Sequence, residues 1–218
     1  MILPHIALES GKNPQYSVIW LHGLGADGHD FVPMLDELKL PVAVRFIFPH
    51  APKIPVTING GFVMRAWYDI ADPAIDAQQD EAGIRASQAA IEALIAQEVA
   101  RGIPAQHIFL AGFSQGGAIA LHTALRLNGP LAGVLALSAY LPLAELTAEA
   151  TCHATPIFMA HGRSDPVVPY ALGIASRERL LELQCAVEWH EYAMQHSVCA
   201  AELIDIQAWL TDRLGSRK

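Results

Sequence analysis

The chain runs to 218 residues, 52% hydrophobic and 17% charged, with a net charge of −8; that length and apolar content suffice for a full core, and one domain over residues 1–218 is expected. The acidic balance argues against nucleic acid as a partner, because phosphate binding requires a basic face. No apolar run approaches the roughly 18 residues of a membrane span, and Met1-Ile2-Leu3-Pro4-His5 lacks the basic start and long apolar stretch of a signal peptide.

Residues 6–8 read as a short edge strand, closed by Ser10-Gly11-Lys12-Asn13-Pro14. Tyr16-Ser17-Val18-Ile19-Trp20-Leu21 is a continuous β-branched and aromatic run, as in a strand buried on both faces. His22-Gly23-Leu24-Gly25-Ala26-Asp27-Gly28 follows it and admits two readings. Gly23-x-Gly25-x-x-Gly28 has the spacing of a dinucleotide fingerprint, with residues 31–38 as its helix. That fold needs an acid about 20 residues on, at the end of the next strand, to hold the ribose. None lies between Glu37 and Asp69, so no nucleotide cofactor is expected. The other reading is an oxyanion loop, in which glycines let the backbone approach a substrate and aim the Leu24 N–H at its carbonyl oxygen. Residues 44–48 form the next strand. Periodicity then vanishes over 52–83, an irregular insertion with three prolines (Pro52, Pro55, Pro73), a Gly60-Gly61 pair and the aromatics Phe62, Trp67 and Tyr68. A long insertion of this kind is usually functional, and these aromatics are expected to cover the substrate pocket. Residues 84–101 read as a helix with Ile84, Ala90 or Ile91, Leu94, Ile95 and Val99 on its apolar stripe. A strand-length apolar run from Ile108 and strands at 133–138, 156–161 and 186–192 alternate with helices at 118–125, 170–184 and 197–214. That alternation means an α/β fold, a mostly parallel central sheet with helices on both faces.

Gly112-Phe113-Ser114-Gln115-Gly116 sits where a strand-like run meets a small-residue helix start. G-x-S-x-G at such a junction is a nucleophile elbow: the serine takes strained backbone angles, and its neighbours two residues away must lack bulk. A serine hydroxyl needs a base, and the base needs an acid to fix its tautomer. In chain order these follow as serine, acid and histidine, each beyond a strand end. His190 falls inside the alternating strand and suits a structural role, whereas His196 lies in the loop after it and is the expected base. Asp165, held between Gly162 and Pro166 after the preceding strand, is the expected acid; Glu145 and Glu149 have no strand directly before them. The ten histidines show no ligand spacing, so no metal is expected. The three cysteines, Cys152, Cys185 and Cys199, have no C-x-x-C spacing and fit reduced thiols in a cytoplasmic protein.

Leu21-His22-Gly23-Leu24-Gly25, Pro49-His50-Ala51-Pro52, Trp67-Tyr68-Asp69, Gly112-Phe113-Ser114-Gln115-Gly116-Gly117, His161-Gly162-Arg163-Ser164-Asp165-Pro166-Val167-Val168-Pro169 and His196-Ser197 occur in this order over nearly the whole chain. Together they resemble the bacterial carboxylesterases of the phospholipase/carboxylesterase family, which also holds acyl-protein thioesterases and lysophospholipases. The resemblance implies an α/β-hydrolase fold, Ser114, Asp165 and His196 as a catalytic triad, and the Leu24 and Gln115 amides as oxyanion donors. It implies a small-molecule ester or acyl substrate, and self-association as a homodimer. One departure is Gln195 before the histidine, where the family often has glycine, a change to the pocket rim. The function expected is hydrolysis of carboxylic esters with short to medium acyl chains through an acyl-enzyme. The rivals are an acyl-protein thioesterase or lysophospholipase and, from another class, a non-catalytic binding protein on the same fold.

Overall fold

In the computed structural model, which describes residues 2–72, 74–149 and 154–215, the chain alternates strands and helices around one large sheet. The strands are β1 (His5–Glu9), β2 (Tyr16–Leu21), β3 (Val44–Pro49), β4 (Lys53–Val56), β5 (Phe62–Arg65), β6 (Ile108–Phe113), β7 (Gly133–Leu137), β8 (Ile157–Gly162) and β9 (Val187–Tyr192). The helices are α1 (Glu81–Ala100), α2 (Gln115–Ala124), α3 (Tyr170–Glu182) and α4 (Ala200–Gly215). The sheet has seven strands in the order β1-β3-β2-β6-β7-β8-β9. All neighbours pair parallel except β1, which runs antiparallel along β3. Pro73 and Cys152 lie outside the described residues. No helix among the described residues is long and apolar enough to cross a membrane.

The unbroken apolar runs follow from a sheet covered on both sides. Successive side chains of a strand point to opposite faces, so Ile19 and Leu21 of β2 pack with α1 and α2. Val18 and Trp20 of the same strand pack with Ile206, Trp209 and Leu210 of α4. Strand β6 divides likewise, with Ile108 and Leu110 on the first face and Phe109 and Ala111 on the second. A polar residue at any of these positions would face a core, whichever way it pointed.

Three elements differ from the sequence expectation. Residues 31–38 hold only a short 3-10 turn, Val32–Asp36, with Pro33 in its first turn. Met34, inside the turn, and Leu38, beyond its end, still reach the α4 side of the core. The 52–83 segment is not irregular throughout: β4 and β5 form an antiparallel hairpin, with Gly60 and Gly61 at positive φ (65° and 77°) at its turn. Helix α1 begins earlier than expected because Asp80 caps it, its carboxylate accepting the Gly83 N–H at 2.9 Å. On α1, Val99 is exposed at 45% and Glu98 takes the inward position. Glu98 accepts the Ser17 hydroxyl at 2.7 Å and lies 3.4 Å from the Arg45 guanidinium. The buried acid is thereby paired, as burial requires.

Candidate active site

Strand β6 ends at Phe113 and α2 starts at Gln115, leaving Ser114 alone on the bend with φ 55° and ψ −122°. Few non-glycine residues adopt such angles, and surrounding structure must impose them. Two bonds do so: the Ser114 N–H donates to Leu137 O at 2.8 Å, and Ser114 O accepts the Ala118 N–H at 3.0 Å. The flanking glycines are required by contact. A Cβ on Gly112 would lie 2.3 Å from the Gly116 carbonyl carbon, and one on Gly116 would lie 2.4 Å from Leu21 O. The bend therefore closes only when both lack side chains, and the Gln115 N–H opens α2 with no partner within its own helix.

Asp165 and His196 meet across the ends of β8 and β9. Asp165 Oδ2 accepts the His196 Nδ1–H at 2.7 Å, while Oδ1 accepts the Val167 and Val168 N–H groups at 2.8 and 2.9 Å. With Nδ1 protonated toward the carboxylate, Nε2 of His196 keeps its lone pair and can accept a proton. Gly162 permits the approach: a Cβ there would lie 2.4 Å from Gln195 O and 2.5 Å from Met194 O. The His196 ring packs tilted against Phe113, beside Ser114, at 4.6 Å between centroids. His190, by contrast, stacks on Phe158 at 4.6 Å and bonds Glu188 at 2.9 Å, both within the sheet edge. Sequence reasoning missed His161, which is fully buried behind the acid. Its Nε2–H donates to Val168 O at 2.9 Å, and burial lowers its pKa, so it props the Asp165 turn as a neutral ring.

The 22–28 loop lies against the elbow from the other side. A Cβ on Gly23 would be 3.6 Å from the Ser114 Cβ. His22 sets the loop: its Nε2 accepts the Ala51 N–H at 3.1 Å, so Nδ1 carries the proton and donates to Gly23 O at 2.7 Å. Burial lowers the His22 pKa and keeps the ring neutral. Among the described residues no group takes up the Leu24 N–H. The hairpin borders this loop, because the Gly25 N–H donates to Arg65 O at 2.8 Å. Gly28 serves close packing, since a Cβ there would lie 2.5 Å from Phe48 O. With only a 3-10 turn following it, the loop has no helix N-terminus to receive a pyrophosphate.

The aromatics of 52–83 are not one cover. Trp67 and Tyr68 are core residues, each 2% exposed, and only Phe62, 68% exposed on the hairpin, stands at the surface. The Trp67 indole N–H donates to His22 O at 2.8 Å, and the Tyr68 hydroxyl bonds the Tyr140 hydroxyl at 2.8 Å. A segment with no period offers no sequence signal for which side chains turn inward. The Gln115 side chain fastens this strap to the elbow, accepting the Trp67 N–H and donating to Tyr68 O, both at 2.8 Å. The acids of the segment have local work as well: Asp69 accepts the Thr57 N–H at 2.7 Å, and Glu81 pairs with Arg85 at 2.8 Å.

Residues 4–213 match the phospholipase/carboxylesterase family. The chain belongs to that family. Its curated relatives include acyl-protein thioesterase 1 of Neurospora crassa, 44% identical over 91% of this chain and 86% of the relative. The Yarrowia lipolytica acyl-protein thioesterase 1 is 38% identical over 91% and 92%. Among solved structures, Zea mays acyl-protein thioesterase 2 superposes with a TM-score of 0.86 at 30% identity, over 97% of this chain and 99% of that one. These relatives are eukaryotic thioesterases; they support the family and the α/β-hydrolase fold, and not the narrower likeness to bacterial carboxylesterases.

Proposed function

We propose that the protein is a serine hydrolase of carboxylic esters that works through an acyl-enzyme on Ser114. The observation that carries this reading is the Asp165–His196 hydrogen bond of 2.7 Å beside the strained Ser114 elbow. Ser114 Oγ attacks the acyl carbon and gives its proton to His196 Nε2. In this reading the negative oxygen accepts hydrogen bonds from the Leu24 and Gln115 N–H groups. Collapse of the tetrahedral adduct breaks the ester bond, and the leaving alcohol takes the proton from His196. A water then repeats the cycle, losing its proton to His196 and releasing the acid and the free serine. Asp165 stays ionised, holding the ring and balancing its charge while protonated.

The substrate proposed is a neutral ester or acyl compound of short to medium chain. The exposed Phe62, Val63 and Ile58 of the hairpin offer apolar surface next to the 22–28 loop, and each methylene buried there contributes about 0.8 kcal/mol. A second reading, hydrolysis of acyl thioesters on protein cysteines, is favoured by the thioesterase names of the relatives. The same machinery serves it, with a thiol as leaving group. Matched oxyester and thioester series of increasing acyl length separate the two. kcat/KM is expected to rise with each carbon until the apolar surface is filled. Higher kcat/KM on the thioesters at every length would favour the second reading, and no turnover of either series would sink both.

A further inference from the structure

Asp27, His29 and His50 play no part in the chemistry above, yet they bring a carboxylate and two imidazoles together. One ligand atom from each lies within 4.8 Å of the other two. Asp27 and His29 ride on the loop after β2 and His50 follows β3, so adjacent strand ends supply the set. That is why no ligand spacing shows along the chain. The His29 and His50 rings stand 5.6 Å apart. His29 bonds Asp27 Oδ1 through Nδ1 at 3.0 Å, which leaves the Nε2 lone pair available. His50 accepts the Gly28 N–H on Nδ1 at 3.0 Å, so that lone pair also faces the loop.

Two imidazole nitrogens and a carboxylate oxygen are donors suited to zinc-class cations. Bonds of about 2.0–2.2 Å in a tetrahedral site place ligand atoms roughly 3.4 Å apart. Small rotations supply that contraction, because the side chains of His29 and Asp27 are 72% and 43% exposed. Arg65, His29 and His5 are the basic groups that act on His50, and Asp27 offsets them within the cluster. We propose that Asp27, His29 and His50 form a site for a divalent transition-metal cation of the zinc class. Its occupation inhibits hydrolysis by taking the His50 Nδ1 lone pair that now anchors Gly28. Gly28 packs against Phe48 O with no room for a Cβ, so its bond to His50 fixes the far end of the loop that carries the Leu24 N–H. Metal and loop anchor compete for one electron pair, and binding the cation loosens the oxyanion donor. The inhibitory half of this proposal rests on the hydrolase reading; the binding half does not.

The test uses the full chain as wild type, His29→Ala and Asp27→Asn, with Zn2+ titrated in competition with a chromophoric chelator. Hydrolysis of a neutral ester is followed at the same free Zn2+ and scored against each protein's own metal-free rate. Asp27→Asn keeps the oxygen that accepts the His29 N–H at 2.8 Å, so the loop turn survives the change. The expected result is one cation per wild-type chain, bound at least about tenfold more weakly in either variant. Inhibition should shift to higher Zn2+ by the same factor. No binding to wild type, or equal binding to all three proteins, overturns the site. Weakened binding with unshifted inhibition overturns the link through the loop and places the effect at His196 or a thiol. Ser114→Ala protein carries the binding arm alone, so failure of the hydrolase reading is told apart from failure of the site.

Discussion

A histidine serves as a base for serine only when its proton sits on the far nitrogen, and Asp165 decides which nitrogen that is. Its Oδ2 holds the His196 Nδ1–H at 2.7 Å, and its Oδ1 is occupied by two backbone N–H groups. Asp165→Asn keeps the shape but presents an amide that can hold the wrong tautomer, and kcat is expected to fall by about 10⁴. Ser114→Ala should lose a comparable factor, roughly 10⁴ or more, while remaining folded. His190→Ala should chiefly lower the melting temperature, because that ring packs on Phe158 and bonds Glu188. Steady-state kinetics of the three variants beside their melting curves check this ranking. A His190→Ala protein that is folded but inactive would reverse the assignment of the base.

At the scale of elements, the site depends on how closely three backbone segments approach one another. The elbow, the 22–28 loop and the Trp67-Tyr68 strap are held by contacts that leave no room for a Cβ on Gly116 and by the Gln115 side chain. Gln115→Ala leaves the Trp67 N–H and Tyr68 C=O without their partner in a buried place. Each such group costs about 1–3 kcal/mol, so a clear drop in melting temperature is expected by calorimetry. An unchanged melting temperature would mean that the strap holds without this clamp. Leu24→Pro removes a single N–H at a half-buried loop position. In a folded protein it should lower kcat by roughly 10²- to 10³-fold. Rates near wild type would move the oxyanion donor elsewhere.

For the molecule as a whole, buried titratable groups narrow the pH range of stability from both sides. Burial lowers the pKa values of His22 and His161, and pushes His122 down to about 3. The unfolded chain binds these protons near 6.5 and the folded chain does not, so their contribution is complete above 6.5 and drains away as pH falls. Glu202, fully buried in the first turn of α4, is pushed up from 4.5 to about 8 by burial. The folded chain keeps that proton where the unfolded chain has lost it, so stability declines as pH rises from 4.5 through about 8. Melting temperatures across pH should fall in both directions, and Glu202→Gln should flatten the alkaline side. An alkaline slope that persists in Glu202→Gln would assign it to another group. Much of this architecture is readable in the chain: β2 and β6 as unbroken apolar runs, the elbow from its glycines, and Asp165 and His196 from their places after strand ends. The unreadable parts depend on tertiary contact. Glu98 turns inward only because Ser17 and Arg45 meet it there, and Trp67 enters the core only because Gln115 and His22 receive it. The hairpin had a signal in Asn59-Gly60-Gly61, obscured by the prolines beside it. The central claim, a nucleophilic Ser114 activated by His196, is tested most directly by fluorophosphonate labelling with the modified peptide located by mass spectrometry. One phosphonyl group on Ser114 is expected in the wild-type chain and none in His196→Ala; modification of a different serine, or undiminished labelling of His196→Ala, would refute that assignment.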